Sequence, residues 1–242
     1  MIEIENLTKD FGRVKAVDNL SLHVPKGELF CFLGPNGAGK TTTIKVLTGL
    51  LRPTSGIARI AGMDVQKEPV KTKQIIGYIP DMPFLYDRLT AAEFFEFTGD
   101  LYSVPPAEIT AELEKSFALF DLMDHRNALV KDLSHGLKQR LIYVSTLLHK
   151  PEVLFIDEPL IGLDPKTIRL IKDLLVSKAR GGMTIFLTTH ILALAEAIGD
   201  RIGIILHVRM ITLGTLRELL DRHGEKTLED VFLKLTGRSL RE

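Results

Sequence analysis

A nine-residue stretch, GPNGAGKTT at 34–42, restricts the folds open to this chain more than any other part of it. It follows the apolar run ELFCFL and has Gly34, Gly39, Lys40 and Thr41 at the G-x-x-x-x-G-K-[ST] spacing of a phosphate-binding loop. In such a loop the glycines let backbone N–H groups turn towards an anion at a helix N-terminus. Lys40 adds a positive charge for the β- and γ-phosphates, and Thr41 offers a hydroxyl to Mg²⁺. The predicted nucleotide-binding residues of this loop are Gly34, Pro35, Asn36, Gly37, Ala38, Gly39, Lys40, Thr41 and Thr42.

The remainder of the chain alternates short apolar runs with amphipathic segments. PEVLFID, MTIFLTT and RIGIIL are typical of strands buried on both faces, and helical segments separate them. Strands that alternate with helices predict an α/β fold with a mostly parallel sheet. Near the N-terminus, MIEIENL and NLSLHV predict two further strands from their alternating pattern.

A helical block interrupts this alternation between about Thr90 and Lys150. Thr90 and Glu93 form a predicted capping box in front of FFEFTGDLY. Pro105 and Pro106 then predict the start of a second helix. We therefore expect an inserted helical subdomain.

Composition narrows the class of protein. Lys and Arg number 31 and Asp and Glu number 31, so the formal net charge of zero disfavours a basic nucleic-acid-binding protein. The single cysteine, Cys31, excludes an intrachain disulfide and suits a reducing compartment. The charged N-terminus predicts no secretory signal, and no apolar run approaches the ~18–20 residues needed to cross a bilayer. We expect a protein that is soluble by itself, and whether it sits on a membrane through a partner is a separate question.

The run EVLFIDEP adds two acidic residues to the candidate site. Asp157 ends a predicted buried strand, where its carboxylate could hold Mg²⁺ through water. Glu158 beside it is placed to orient or deprotonate an attacking water. The alternative interpretation is a polar strand end before a turn, and the phosphate-binding loop upstream favours the catalytic one.

The segment LSHGLKQRL at 133–141 looks like an ordinary helix start, with Ser134 as N-cap and a Gly at 136 that weakens the first turn. Together with the phosphate-binding loop, EVLFIDEP, GLDP and TTH, this segment makes the chain resemble the ATP-binding cassette (ABC) family over essentially its whole length. Within that resemblance, LSHGLKQRL corresponds to the family's signature motif. It implies a P-loop NTPase core with a mostly parallel sheet, an N-terminal antiparallel β subdomain and an inserted α-helical subdomain. The implied boundaries are a single ABC ATPase domain over 1–242, with a core of 1–89 and 150–216, a helical signature subdomain of 90–149 and a helical tail of 217–242.

The same resemblance implies roles for five further residues. Ser134 and Gly136 would bind the γ-phosphate of an ATP held by the opposite subunit, so two copies, or this chain and a close relative, would form a head-to-tail dimer. Asp164 of GLDP would lie across that interface, although an Asp before Pro is also typical of a turn. His190 of TTH would contact the γ-phosphate, and Phe11 would stack on adenine; their alternatives are a structural histidine and a core phenylalanine.

The sequence departs from the family pattern at four positions. His135 replaces the first of two glycines and Leu137 replaces a glutamine in the signature segment. Asp81 stands where the family places a glutamine that reaches Mg²⁺, and it is a third candidate metal residue after Thr41 and Asp157. Val208 stands where a turn-favouring Gly is usual.

The resemblance implies an ATPase that uses Lys40, Glu158 and His190 and drives a separate membrane permease, most like exporters. We expect ATP and Mg²⁺ as ligands, a cytoplasmic location on the membrane face through the permease, and no nucleic-acid partner. The segment MPFLYDRLT, with Leu85 and Tyr86, is the predicted permease contact. The alternative is a soluble ABC ATPase that acts as a cytosolic switch.

Overall fold

The computed structural model describes residues 1–82, 84–158, 160 and 163–237. Its strands are β1 (Ile2–Asp10), β2 (Lys15–Val24), β3 (Leu29–Leu33), β4 (Ser55–Ile60), β5 (Met63–Asp64), β6 (Ile76–Ile79), β7 (Val153–Asp157), β8 (Thr184–Thr189), β9 (Arg201–Leu206) and β10 (Arg209–Gly214). Its helices are α1 (Lys40–Leu47), α2 (Pro69–Ile75), α3 (Ala91–Leu101), α4 (Pro106–Leu119), α5 (His135–Leu147), α6 (Pro165–Arg180), α7 (Leu192–Ile198), α8 (Leu216–His223) and α9 (Leu228–Thr236). Residues 238–242 of the predicted tail lie outside the described part of the chain.

Two sheets organise the fold. A four-stranded antiparallel sheet has the order β2-β1-β4-β5, and a six-stranded sheet has the order β10-β9-β3-β8-β7-β6. Strands β9, β3, β8, β7 and β6 are parallel, and β10 pairs antiparallel at one edge. The predicted α/β fold, with its antiparallel β subdomain and mostly parallel sheet, is confirmed.

The parallel sheet separates two apolar cores. Successive side chains of a strand point to opposite faces, so Leu29, Cys31 and Leu33 of β3 pack on the helical side of the sheet. Phe30 and Phe32 pack on the other side, with the antiparallel sheet and α1. Every residue of β3 and β7 is buried, which explains their continuous apolar runs.

Helices α3 to α5 lie between β6 and β7 in the chain. The capping box at Thr90 is present, since its hydroxyl accepts from the N–H of Glu93 and the Glu93 carboxylate accepts from the N–H of Thr90. The rings of Phe95 on α3 and Phe117 on α4 meet edge to face in the helical core. Within the described ranges, no helix is both long enough and apolar enough to cross a bilayer.

Two features were not predicted from the sequence pattern. The short helix α2 precedes β6, and its apolar signal is weak because only Thr72 is buried. The β9–β10 hairpin turns through His207 and Val208, both with positive φ, of 45° and 63°. Val208, which stands where the family usually has a glycine, therefore still adopts the left-handed backbone conformation of the turn. A β-branched side chain disfavours that conformation.

Candidate nucleotide-binding and hydrolysis site

The phosphate-binding loop connects β3 to α1, as its pattern predicts. Gly39 has φ of +106°, and a Cβ there would lie 2.3 Å from the carbonyl oxygen of Ala16. A Cβ on Gly34 would lie 2.4 Å from the carbonyl oxygen of Ile205. Neighbouring backbone therefore approaches the loop so closely that only glycine fits at these two positions.

Lys40 is folded back into the loop. Its side chain is 6% exposed, and its ammonium donates to the carbonyl oxygens of Gly34 at 2.7 Å and Pro35 at 3.3 Å. The same ammonium lies 3.4 Å from Oε1 of Glu158, an ion-pair contact without hydrogen-bond geometry. A buried ammonium needs such partners because water does not solvate it there.

Glu158 and His190 meet at the carboxyl edge of the parallel sheet. Glu158 directly follows β7, is almost fully buried and has φ of +53°. Its Oε2 lies 2.9 Å from Nδ1 of His190, which directly follows the adjacent strand β8. A non-glycine residue in the left-handed region is costly, and such residues occur both in tight turns and at active sites. The structure thus brings Lys40, Glu158 and His190 together.

Asp157 and Thr41 are two of the three candidate metal ligands. Asp157 is buried at the end of β7 and accepts a hydrogen bond from the hydroxyl of Thr188, and Thr41 is exposed in the first turn of α1. Among the described residues, no group of three or more His, Cys, Asp or Glu side chains could hold a metal ion. A carboxylate and a hydroxyl suit Mg²⁺, which usually keeps several waters and takes further oxygens from substrate phosphates.

Asp81 follows β6 and is exposed. Desolvation raises the pKa of its carboxyl, and the charges of Asp157 and Glu158 raise it further, while His135 and His190 oppose them. Asp81 therefore lies within the electrostatic field of the candidate site. Its backbone carbonyl accepts from the side-chain amide of Gln139 at 3.2 Å, a contact that the sequence pattern did not indicate.

Phe11 lies beyond β1 and is 56% exposed, so the alternative of a core phenylalanine is wrong. The ammonium of Lys9 stands 4.8 Å from its ring centroid. An exposed ring remains available for stacking.

Ser134 and Gly136 lie at the start of α5, with Gly136 in the first turn. The Ser134 hydroxyl accepts from the N–H of Leu137 at 3.3 Å, so it is an N-cap in this arrangement. Ser134 is exposed and Gly136 is half-buried. No other bond of this hydroxyl is found within the described ranges, so its second lone pair and its proton can serve another ligand.

Asp164 is the N-cap of α6. This local role agrees with the alternative interpretation of Asp164 as a turn-forming residue before Pro165. Its carboxylate accepts from the N–H of Thr167 at 3.0 Å and the hydroxyl of Thr167 at 2.6 Å. Arg140 of α5 donates to the same carboxylate at 2.8 Å. The Thr167 hydroxyl, the Thr167 N–H and the Arg140 guanidinium together hold the pKa of Asp164 well below its usual range. Gly162 of the GLDP segment lies outside the described residues.

A glycine-restricted loop between strand and helix, with a lysine, a glutamate and a histidine converging on it, defines an α/β protein of the P-loop nucleotide-binding class. Residues 17–161 match the family described as "ABC transporter". The chain belongs to that family.

Relatives and solved structures agree with this assignment. The probable multidrug ABC transporter ATP-binding protein YbhF of Escherichia coli is 36% identical over 97% of this chain, which spans 41% of that relative's length. The linearmycin resistance ATP-binding protein LnrL of Bacillus subtilis is 36% identical over 100% of this chain, and the match covers 76% of the length of LnrL. The daunorubicin/doxorubicin resistance ATP-binding protein DrrA of Streptomyces peucetius is 37% identical over 94% of this chain, and the match covers 69% of the length of DrrA.

Two solved structures have the same fold. One is the structure of an ATP-binding subunit of an ABC transporter, with a TM-score of 0.93, 31% identity and coverage of 98% of this chain and 99% of that one. The other is the dimeric cassette MJ0796 in a post-hydrolysis state bound to ADP and Pi, with a TM-score of 0.82, 26% identity and coverage of 90% and 99%.

Proposed function

We propose that this chain is the ATP-binding and ATP-hydrolysing subunit of an ABC transporter and drives a separate membrane permease of the exporter type. The observation that carries the proposal is the contact of Glu158 with both Lys40 and His190 beside the phosphate-binding loop. A base next to the phosphate-binding lysine suits attack of water on a γ-phosphate. The drug-resistance proteins among the relatives support export.

Nucleotide binding requires Lys40 to change partners. When phosphates enter the loop, the ammonium leaves the carbonyl oxygens of Gly34 and Pro35 and turns to the phosphate oxygens. Glu158 loses its ion pair at the same moment, and its carboxylate becomes free to polarise the attacking water. His190 holds the other carboxylate oxygen and contacts the γ-phosphate.

Thr41 and Asp157 would hold Mg²⁺, with Asp81 reaching it through water. The ion would neutralise charge on the phosphate oxygens. The hydroxyl of Thr188 donates to the Asp157 carboxylate and orients it. Phe11 would stack on the adenine.

Two subunits would complete each site. Ser134 and Gly136 of one subunit would bind the γ-phosphate held by the loop of the other, in a homodimer or a heterodimer with a close relative. The dimeric structure of MJ0796, which is similar to this chain over most of its length, supports this arrangement.

An exposed aromatic patch, formed by Phe84, Tyr86 and Phe97, is the proposed permease contact. Its rings pack edge to face, with centroid distances of 6.3 Å between Phe84 and Tyr86 and 5.3 Å between Tyr86 and Phe97, yet all three side chains are exposed. Such a patch on a soluble fold marks an interaction surface. Leu85, by contrast, is buried, and Pro83 lies outside the described residues.

The patch continues into a cleft. Leu101 lies one turn beyond Phe97 on the same face of α3 and lines an open cleft of about 690 Å³. Tyr102 stacks on His149 in this cleft at 3.6 Å between ring centroids. A permease segment seated there would place this subunit on the cytoplasmic face of the membrane.

Hydrolysis is tested with Glu158→Gln. We expect the purified wild-type chain to release phosphate from ATP with Mg²⁺, and the variant to lose roughly 10²–10⁴-fold in kcat, the range for a removed general base, while ATP-dependent dimers accumulate on size-exclusion chromatography. Glu152→Gln is the matched control, because Glu152 is an exposed glutamate just before β7. Wild-type turnover in Glu158→Gln would remove Glu158 from its role.

Transport is tested by co-purification from gently solubilised membranes of the native host. We expect a polytopic membrane protein to co-purify with the wild-type chain and to be lost from Tyr86→Ala. Leu119→Ala, which changes an exposed apolar residue on α4, should retain it. Recovery of soluble partners alone would favour the cytosolic switch.

A further inference from the structure

Two adjacent residues of α5 reach two different loops of the candidate site. Gln139 contacts the loop after β6 through the carbonyl oxygen of Asp81. Arg140 contacts the segment after β7 through the carboxylate of Asp164. Because β6 and β7 are neighbouring parallel strands, both loops leave the same edge of the sheet. The helix that begins behind Ser134 thus contacts both loops at once.

Arg140 joins three segments. Besides Asp164, its guanidinium donates to the carbonyl oxygen of Phe120 at 3.2 Å and lies 3.6 Å from the Asp121 carboxylate, just after α4. Asp121 in turn accepts from Lys166 in the first turn of α6 at 2.8 Å. The planar fork of Arg suits such simultaneous contacts, which a lysine ammonium cannot reproduce.

Both side chains retain unused polar atoms. In the described part of the chain, the buried atoms Oε1 of Gln139 and Nε of Arg140 have no hydrogen-bond partner. Buried polar atoms are nearly always paired in folded proteins. Five such atoms lack a partner among the described residues, and two of them belong to these adjacent residues. Both atoms belong to the side chains that contact the two loops.

We propose that Gln139 and Arg140 are positioning residues that transmit the orientation of α5 to the two loops of the hydrolysis site. Arg140 is the stronger link, because Asp164 stands six residues after Glu158 on one continuous segment. When ATP brings Ser134 and Gly136 against a partner's phosphate, α5 shifts, and its two polar side chains move Asp81 and Asp164 with it.

The kinetic test compares Arg140→Gln with Arg126→Gln. Arg126 is a matched control, since it also pairs with a carboxylate of the helical block, Glu114 at 3.0 Å, but lies at the surface. We expect kcat of Arg140→Gln to fall roughly tenfold to hundredfold, the cost of misplacing a reacting group by about 1 Å, with KM for ATP unchanged. Arg140→Lys should lie in between. A kcat equal to that of the control would overturn the proposal.

A double variant tests the route through Asp164. If Arg140 acts on the site through that carboxylate, Arg140→Gln combined with Asp164→Asn should be no slower than the slower single variant. Effects on kcat that multiply would show that Arg140 does not act through Asp164.

The inference rests on the proposed function, but hydrogen exchange tests the contact of α5 with the two loops without requiring ATP turnover. We expect Arg140→Gln to raise exchange over 163–168, and Gln139→Met to raise it over 80–82, in the full chain without nucleotide. Unchanged exchange in both segments would refute the coupling. A wild-type chain that does not hydrolyse ATP would contradict the proposed function alone, because the exchange result would still decide the coupling.

Discussion

Gly39 offers a quantitative test of how the phosphate-binding loop is built. In Gly39→Ala, the new Cβ would lie 2.3 Å from the Ala16 carbonyl oxygen, more than 1 Å inside the 3.4 Å at which ordinary contact begins. Overpacking of this kind costs about 1–3 kcal/mol. A side chain at φ of +106° adds about 1–2 kcal/mol. We therefore expect a loss of roughly 2–5 kcal/mol in the free energy of unfolding.

That loss corresponds to a fall in Tm of roughly 5–15 °C for a chain of this size, measured by differential scanning calorimetry. ATP affinity should fall as well, because the loop can relieve the clash only by moving its N–H groups. Gly37→Ala is the matched control, since Gly37 also has positive φ, +79°, but nothing lies within 4 Å of its Cβ position. It should lose only about 1 kcal/mol. Equal Tm values for the two variants would refute the argument from close approach.

Three further predictions concern single side chains. Ser134→Ala should cost about 1 kcal/mol as a lost N-cap but lower ATP turnover far more, with nucleotide binding retained; a change in thermal stability alone would leave only the cap role. Val208→Gly should raise Tm by about 2 °C, because relief of roughly 1–2 kcal/mol of left-handed strain exceeds the entropy cost of the glycine; a lower Tm would show that this turn is not strained. Asp164 has a depressed pKa, so its contribution to stability is present above its ordinary value of 3.8 and is lost as pH falls below it. Asp164→Asn should flatten the acid limb of a Tm-against-pH curve, and an unchanged limb would contradict this.

The sequence predicted most of the fold because the relevant signals are local. The buried strands β3 and β7 are continuous apolar runs, and the capping box at Thr90 is complete within four residues. The phosphate-binding loop likewise needs only the spacing of its own residues. Helix α2 was missed because it buries a single side chain.

The missing parts of the site depend on contacts between distant segments. Lys40 and Glu158 were both identified, but their ion pair arises only when β3 and β7 enter one sheet, with β8 between them. From the sequence, Arg140 is indistinguishable from any polar residue on a helix. Its contact with Asp164 arises only because α5 lies next to the start of α6 in the fold. Tyr86 and Leu85 stand side by side, yet one is exposed and the other buried.

The division of the apolar interior into two cores has a consequence for how this chain can diverge. Ile44, Val46 and Leu47 of α1, which carry the phosphate-binding loop, pack on one side of the parallel sheet. The buried residues of α3 to α5, beneath the aromatic patch, pack on the other. Core substitutions that adapt the helical side to a new partner are therefore compensated by different neighbours from those that support the loop, and partner specificity can evolve while the nucleotide chemistry is conserved.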